Sequence, residues 1–169
     1  MKFEKGSYLI VALLSMTLLV ACEVGPGPGA EGTTSTATTL VKGYVSVGKG
    51  LPVVGATVRF EFPKSTDTGF HINLMQDLTA ETGLSGEYLV DTQGRQPSGL
   101  IVAVATGGTI QGEPVAGSLR AIHEFTVAGN DWISINPITT VAERWHNRNP
   151  KAKADEALRQ AKLALGLPE

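Results

Sequence analysis

Cysteine is nearly missing from this 169-residue chain, which has one, at position 22. A single thiol closes no intramolecular disulfide and builds no cysteine-based zinc site. Histidine is scarce too: His71, His123 and His146 stand on separate stretches with no short metal-ligand spacing. Neither sign of charge dominates, since 14 Lys and Arg against 16 Asp and Glu leave a formal −2. The basic residues are scattered and never interleave with aromatics, so nothing points to a nucleic-acid partner or a polybasic membrane surface. Aromatics make up only 6%, whereas 20 Gly, 9 Pro and many Thr and Val favour short strands joined by tight turns. At 42% hydrophobic, one ordinary domain can still bury a core.

The N-terminus gives the lone cysteine a context. Lys2 and Lys5 precede an apolar run over 8–20 that only Ser15 and Thr17 interrupt. That run falls short of the ~20 apolar residues a spanning helix needs, so it reads as the hydrophobic part of a signal peptide covering 1–21. It ends in Leu19-Val20-Ala21-Cys22, which resembles a bacterial lipobox. The resemblance implies cleavage before Cys22, lipidation of its thiol, and acylation of the new amino group. Two or more acyl chains anchor a protein stably where one does not. Position 23 is Glu rather than the Asp that favours inner-membrane retention, so the resemblance leans toward the outer membrane. Residues 22–39 then carry Gly, Pro, Thr and Ser with almost no large apolar side chain, as expected of a flexible tether.

From residue 40 the pattern turns to strands. Val41, Gly43, Val45 and Val47 alternate with Lys42, Tyr44 and Ser46. Val54, Ala56, Val58, Phe60 and Phe62 alternate with Gly55, Thr57, Arg59 and Glu61, which is a strand with one wet face. Ile72, Leu74 and Leu78 suggest another, Tyr88 and Val90 a short one, and the continuously apolar 100–105 a central strand covered on both sides. Gly107-Gly108-Thr109 reads as a turn, and 119–127 with 132–136 as a hairpin. The sum is a mainly β domain over 40–136, a seven-stranded Ig/prealbumin-like sandwich.

Two short C-terminal α-helices follow over 137–169. Asn136-Pro137 supplies an N-cap and a proline at the first helical position, and Ile138, Val141, Ala142 and Trp145 make an apolar stripe. Asn149-Pro150 repeats the start signal ahead of Ala154, Leu158, Ala161 and Leu165. An apolar helix without an obvious partner opens a second reading, in which the chain is an accessory or truncated part of a larger lipoprotein.

The stretch from 40 to about 104 resembles the carboxypeptidase regulatory-like (transthyretin-like) domain family. Val53-Val54-Gly55-Ala56-Thr57-Val58 and Thr82-Gly83-Leu84-Ser85-Gly86-Glu87-Tyr88 carry the resemblance, with Gly83 where the family usually has Asp. It implies a β-sandwich and little about activity, because fold does not imply function. A Lys–Asn isopeptide crosslink of the kind related surface domains form would nominate Lys42, Asn136 and Glu87 or Glu61. Strand alternation, however, turns Lys42 to water, and Asn136 is engaged as a cap.

No catalytic constellation stands out. His123 shares the alternation of Ala121 and Phe125 and reads as a core or sheet-edge residue, and His71 with Asp67 and Asp77 reads as a solvated loop group rather than a metal site. No serine has a nucleophile-elbow context. Trp132 alternates against Ile133 and Ile135. It faces outward beside Tyr44 as a binding surface or, the preferred reading at this point, lies beneath the C-terminal helices. The expectation is therefore a non-enzymatic lipoprotein of the bacterial cell envelope, without cofactor or metal. It is held to the membrane, the outer rather than the inner, by lipid on Cys22, and it offers a sandwich to a protein or glycan partner. An envelope hydrolase would need a nucleophile–base pair that the sequence does not display.

Overall fold

A computed structural model describes residues 40–61, 75, 77–95, 97–125 and 131–168. Cys22 and the signal and tether segments lie outside them, as do Phe62, Asp67, His71, Ile72, Leu74 and Val127. The described chain is mainly β with two C-terminal helices. Its strands are β1 (Leu40–Tyr44), β2 (Ser46–Val47), β3 (Leu51–Pro52), β4 (Val54–Glu61), β5 (Thr79–Glu81), β6 (Glu87–Asp91), β7 (Gly99–Ile110), β8 (Glu113–Pro114) and β9 (Ser118–Phe125). The helices are α1 (Pro137–Arg148) and α2 (Ala154–Ala164). No helix among the described residues is long and apolar enough to cross a membrane.

One sheet runs β5-β4-β7 with β8 and β9 both paired to β7, and β1 pairs antiparallel with β6 in another. Alternation decides what faces inward. Val41, Gly43 and Val45 are buried from β1 and its extension, Ala56, Val58 and Phe60 from β4, and Tyr88 and Val90 from β6. Side chains of both sheets enter one apolar core, which also takes Ile101, Ala103, Ala105, Ala121, Ile133 and Ile135. Phe60 stands opposite Ala103 in the β4–β7 register, and Ala103 opposite Ala121. These alanines leave room for the larger side chains of the other sheet, as close packing requires.

β7 is the central strand the apolar run predicts, with Ile101 to Ala105 buried throughout. It is longer than predicted. Gly107 and Gly108 do not turn the chain but continue the strand, with Ala56 opposite Gly107 and Val54 opposite Thr109. Both glycines sit at positive φ (70° and 79°), and a Cβ at Gly108 would lie 2.7 Å from the Val54 carbonyl oxygen. Two glycines therefore let β4 and β7 stay paired where their backbones come closest.

The expected hairpin between 119–127 and 132–136 is not what forms. Residues 131–135 run parallel to β1, with Lys42 N–H donating to the Asp131 carbonyl (3.0 Å) and Ile133 N–H to the Lys42 carbonyl (2.8 Å). Ile135 N–H donates to the Tyr44 carbonyl (2.7 Å), and Ser46 N–H to the Ile135 carbonyl (3.0 Å). The segment comes so near β1 that a Cβ on Gly43 would stand 1.9 Å from the Ile133 carbonyl oxygen. The buried Tyr88 hydroxyl donates to that same oxygen at 2.7 Å, and burial pushes its pKa up.

α1 begins as the sequence predicts. The Asn136 side chain accepts from Ile138 N–H and Thr139 N–H, and the Thr139 hydroxyl accepts from Asn136 N–H. The helix lies on β9 through paired hydroxyls: Thr140 accepts from Arg120 N–H, and Thr139 donates to the Arg120 carbonyl. Arg120 also bridges Glu143 (3.1 Å) and Glu61 (2.7 Å), and the Glu143 carboxylate is almost fully buried. Asn149 does not start α2. It closes α1, its side-chain amide donating to the Trp145 carbonyl, and α2 begins at Ala154 without a side-chain cap. Ala142, Ala157 and Ala161 meet between the helices, with Ile122, Val141, Trp145 and Leu158 around them.

Candidate binding face

The outward side chains of β1, β6 and the 131–135 segment form one surface. Registers of Lys42 with Leu89 and Tyr44 with Glu87, together with the parallel bridge from Lys42 to Trp132, set these residues side by side. Trp132 is 49% exposed, Tyr44 42% and Leu89 57%. The Trp132 and Tyr44 rings meet edge to face, centroids 5.2 Å apart and planes at 62°, a geometry aromatic pairs prefer. The Lys42 ammonium stands 5.9 Å from the Trp132 ring centroid, within cation–π range. Trp132 Nε1 donates to the Ser134 hydroxyl at 3.2 Å, which fixes the indole.

The charges here are unequally engaged. Glu87 accepts from the Ser85 hydroxyl and backbone N–H, which hold its carboxyl below the usual range, and it folds over the turn at Gly83. Asp91 accepts from Gln93 N–H at 2.7 Å. Lys42 has no ion pair among the described residues, and the Tyr44 hydroxyl no hydrogen bond.

The structure thus brings Tyr44 and Trp132 together in the open, and it corrects the preferred reading that the helices cover Trp132. The helices lie instead on the outer face of β9, drawn there by Ile122 and Arg120. Leu89 was missed, although its place between inward Tyr88 and Val90 points it outward. Lys42 does face water as alternation requires. It lies near Trp132, while Asn136 is committed to α1.

A second feature is a cleft of about 410 Å³ between the β9 edge and the helices, lined by Ile122, His123, Glu124, Ala142, Lys153, Asp155 and neighbours. His123 is half-buried, edge-on to Phe125 (5.3 Å), with Nε2 3.0 Å from buried Asp131. This contact ties β9 to the segment beyond 130, a pairing not foreseen from sequence. Asp77 is paired with Arg95, which holds its carboxyl below the usual range. Among the described residues no three His, Cys, Asp or Glu side chains gather closely enough to hold a metal ion.

No model of a known protein family matches the chain, and no curated protein matches it. Among solved structures it is similar to the dioxygenase domain of a dioxygenase carbohydrate-binding protein fusion from the cellulolytic bacterium Streptomyces sp. SirexAA-E. The identity is 15% over 62% of this chain and 82% of that one, at a TM-score of 0.35.

Proposed function

We propose that this chain is a lipid-anchored lipoprotein of the bacterial cell envelope whose folded part is a non-catalytic binding module. It is cut before Cys22, held by acyl groups there to the outer rather than the inner membrane, and carried on the 22–39 tether. The module is a seven-stranded Ig/prealbumin-like sandwich. The 131–135 segment, β1 and β6 form one sheet and β5, β4, β7 and β9 the other, a count supported by the apolar core the two share.

The observation that carries the binding role is the exposed Trp132–Tyr44 pair. Large aromatics left in water on a sheet whose other face is fully packed are what an interaction surface uses. Their place on an open face rather than in a cavity favours recognition over chemistry. One observation favours the second reading, an accessory part of a larger lipoprotein: Leu163, Leu165 and Leu167 at the end of α2 are 47%, 49% and 38% exposed.

Growth with an alkyne-bearing fatty acid, followed by fractionation, tests the anchor. The wild type should carry label and sediment with membranes, and Cys22→Ser should lose label and appear in the soluble fraction. Equal labelling of the two would defeat the proposal. Trp132→Ala should leave label and location unchanged.

A further inference from the structure

We infer that the Trp132–Tyr44 face takes an acidic glycan, a chain of sugar rings bearing carboxylates; this rests on the reading of that face as the binding surface. Three observations select the class. The apolar part of the face is small, with Trp132, Tyr44 and Leu89 flanked by Lys42, Ser134, Glu87 and Asp91. A protein partner would need some 800 Å² per side with an apolar centre, whereas sugar rings need only aromatic planes for their C–H faces and polar groups at the rim.

Shape is the second. Two half-exposed rings at 62° and 5.2 Å make a stepped edge on an open sheet. Successive rings of an extended chain can lie along such an edge from the side. A compact metabolite would need an enclosing pocket, and the 410 Å³ cleft is lined by β9, α1 and α2 residues rather than by this face.

Charge is the third, and it decides between neutral and acidic chains. Glu87 and Asp91 are turned into their own turns by Ser85 and Gln93. Lys42, beside the Trp132 ring and without an ion pair among the described residues, is the cation left to meet a ligand. A carboxylate on a sugar stacked against Trp132 would come within reach of the Lys42 ammonium, whereas a cationic ligand would be repelled there.

The test uses the detergent-extracted full chain and a panel of uronic-acid oligosaccharides (galacturonate, mannuronate–guluronate and glucuronate–N-acetylglucosamine), each beside its carboxyl-reduced neutral form. Binding is read by calorimetry and tryptophan fluorescence. At least one acidic member should bind about tenfold or more tighter than its reduced form. Lys42→Gln should erase that preference while keeping the neutral affinity, and Trp132→Ala should weaken both forms about tenfold. Equal binding of acidic and reduced chains would overturn the acidic class and leave the face a binding surface. A panel that does not bind would overturn the glycan assignment. In that event a photocrosslinker replacing Ser134 in cells separates the two readings: a protein adduct keeps the binding face with another partner, and no adduct removes the binding face as well.

Discussion

Gly43→Ala is the sharpest perturbation of the fold, because one methyl group must occupy the space of a backbone carbonyl. The added Cβ would sit 1.9 Å from the Ile133 oxygen, 2.7 Å from its carbon and 2.9 Å from the Tyr88 hydroxyl. Real Cβ atoms stay at least 3.0 Å away, so the 131–135 segment must retreat by about 1.1 Å (3.0 − 1.9). Overpacking of this kind costs about 1–3 kcal/mol. The retreat also breaks the buried 2.7 Å bond from Tyr88 to Ile133, worth about 1–3 kcal/mol when a buried partner is stranded. The sum, about 3–5 kcal/mol, is a large share of the roughly 5–15 kcal/mol that holds a domain folded. Urea unfolding followed by tryptophan fluorescence measures it, and because Trp132 rides on the displaced segment its native emission should shift as well. Tyr88→Phe alone should cost about 1–2 kcal/mol. The double variant should cost less than the sum by about 1 kcal/mol, since losing the hydroxyl makes room for the methyl. A Gly43→Ala loss below about 1 kcal/mol would refute the parallel contact of 131–135 with β1, because no smaller accommodation clears the clash.

Three further outcomes follow from the helix side. Asn136→Ala removes the acceptor of Ile138 N–H and Thr139 N–H. It should cost about 1 kcal/mol, seen in thermal melts and as faster amide exchange at those two residues. Arg120→Ala leaves the buried Glu143 carboxylate with only the Asn147 amide. It should destabilise by about 2–4 kcal/mol, somewhat below a fully buried pair because Arg120 itself is partly exposed. For pH, burial raises the Glu61 pKa, but hydrogen bonds from Arg120 and then Arg59 outweigh it and hold the group below 4.5. A depressed carboxylate stabilises the fold above its unfolded pKa, and that contribution is lost as pH falls through the folded value. Wild-type stability should therefore drop below pH 4.5 more steeply than that of Arg120→Ala, and parallel curves would remove Glu61 from the account.

What the sequence discloses here is mostly local. Alternation from Val41 to Val47 and from Val54 to Glu61 places the inward residues of β1 and β4, and Asn136-Pro137 places the start of α1, because each rests on neighbours a few positions apart. Gly107-Gly108 reads as a turn since paired glycines bend free chains. Only the opposing β4, with Gly55 also at positive φ, makes the same glycines a tolerance for close pairing. The parallel bridge from Lys42 to Trp132 joins residues 90 positions apart (132 − 42) with no spacing signature, so a nearby β9 looks the simpler partner. Pro150 mimics a helix start because proline suits both a first turn and the link before one. Of the binding face, Tyr44 and Trp132 are legible as outward residues, but their 5.2 Å contact depends on that long-range pairing. The proximity of Lys42 to the indole depends on it too.

The central claim is that Cys22 carries the anchor, and the intact mass of the membrane-extracted protein, beside Cys22→Ser, tests it most directly. The account predicts a wild-type mass equal to the chain from Cys22 plus acyl groups, with the variant uncleaved or released from the membrane. An unlipidated mass that retains Met1 would contradict it.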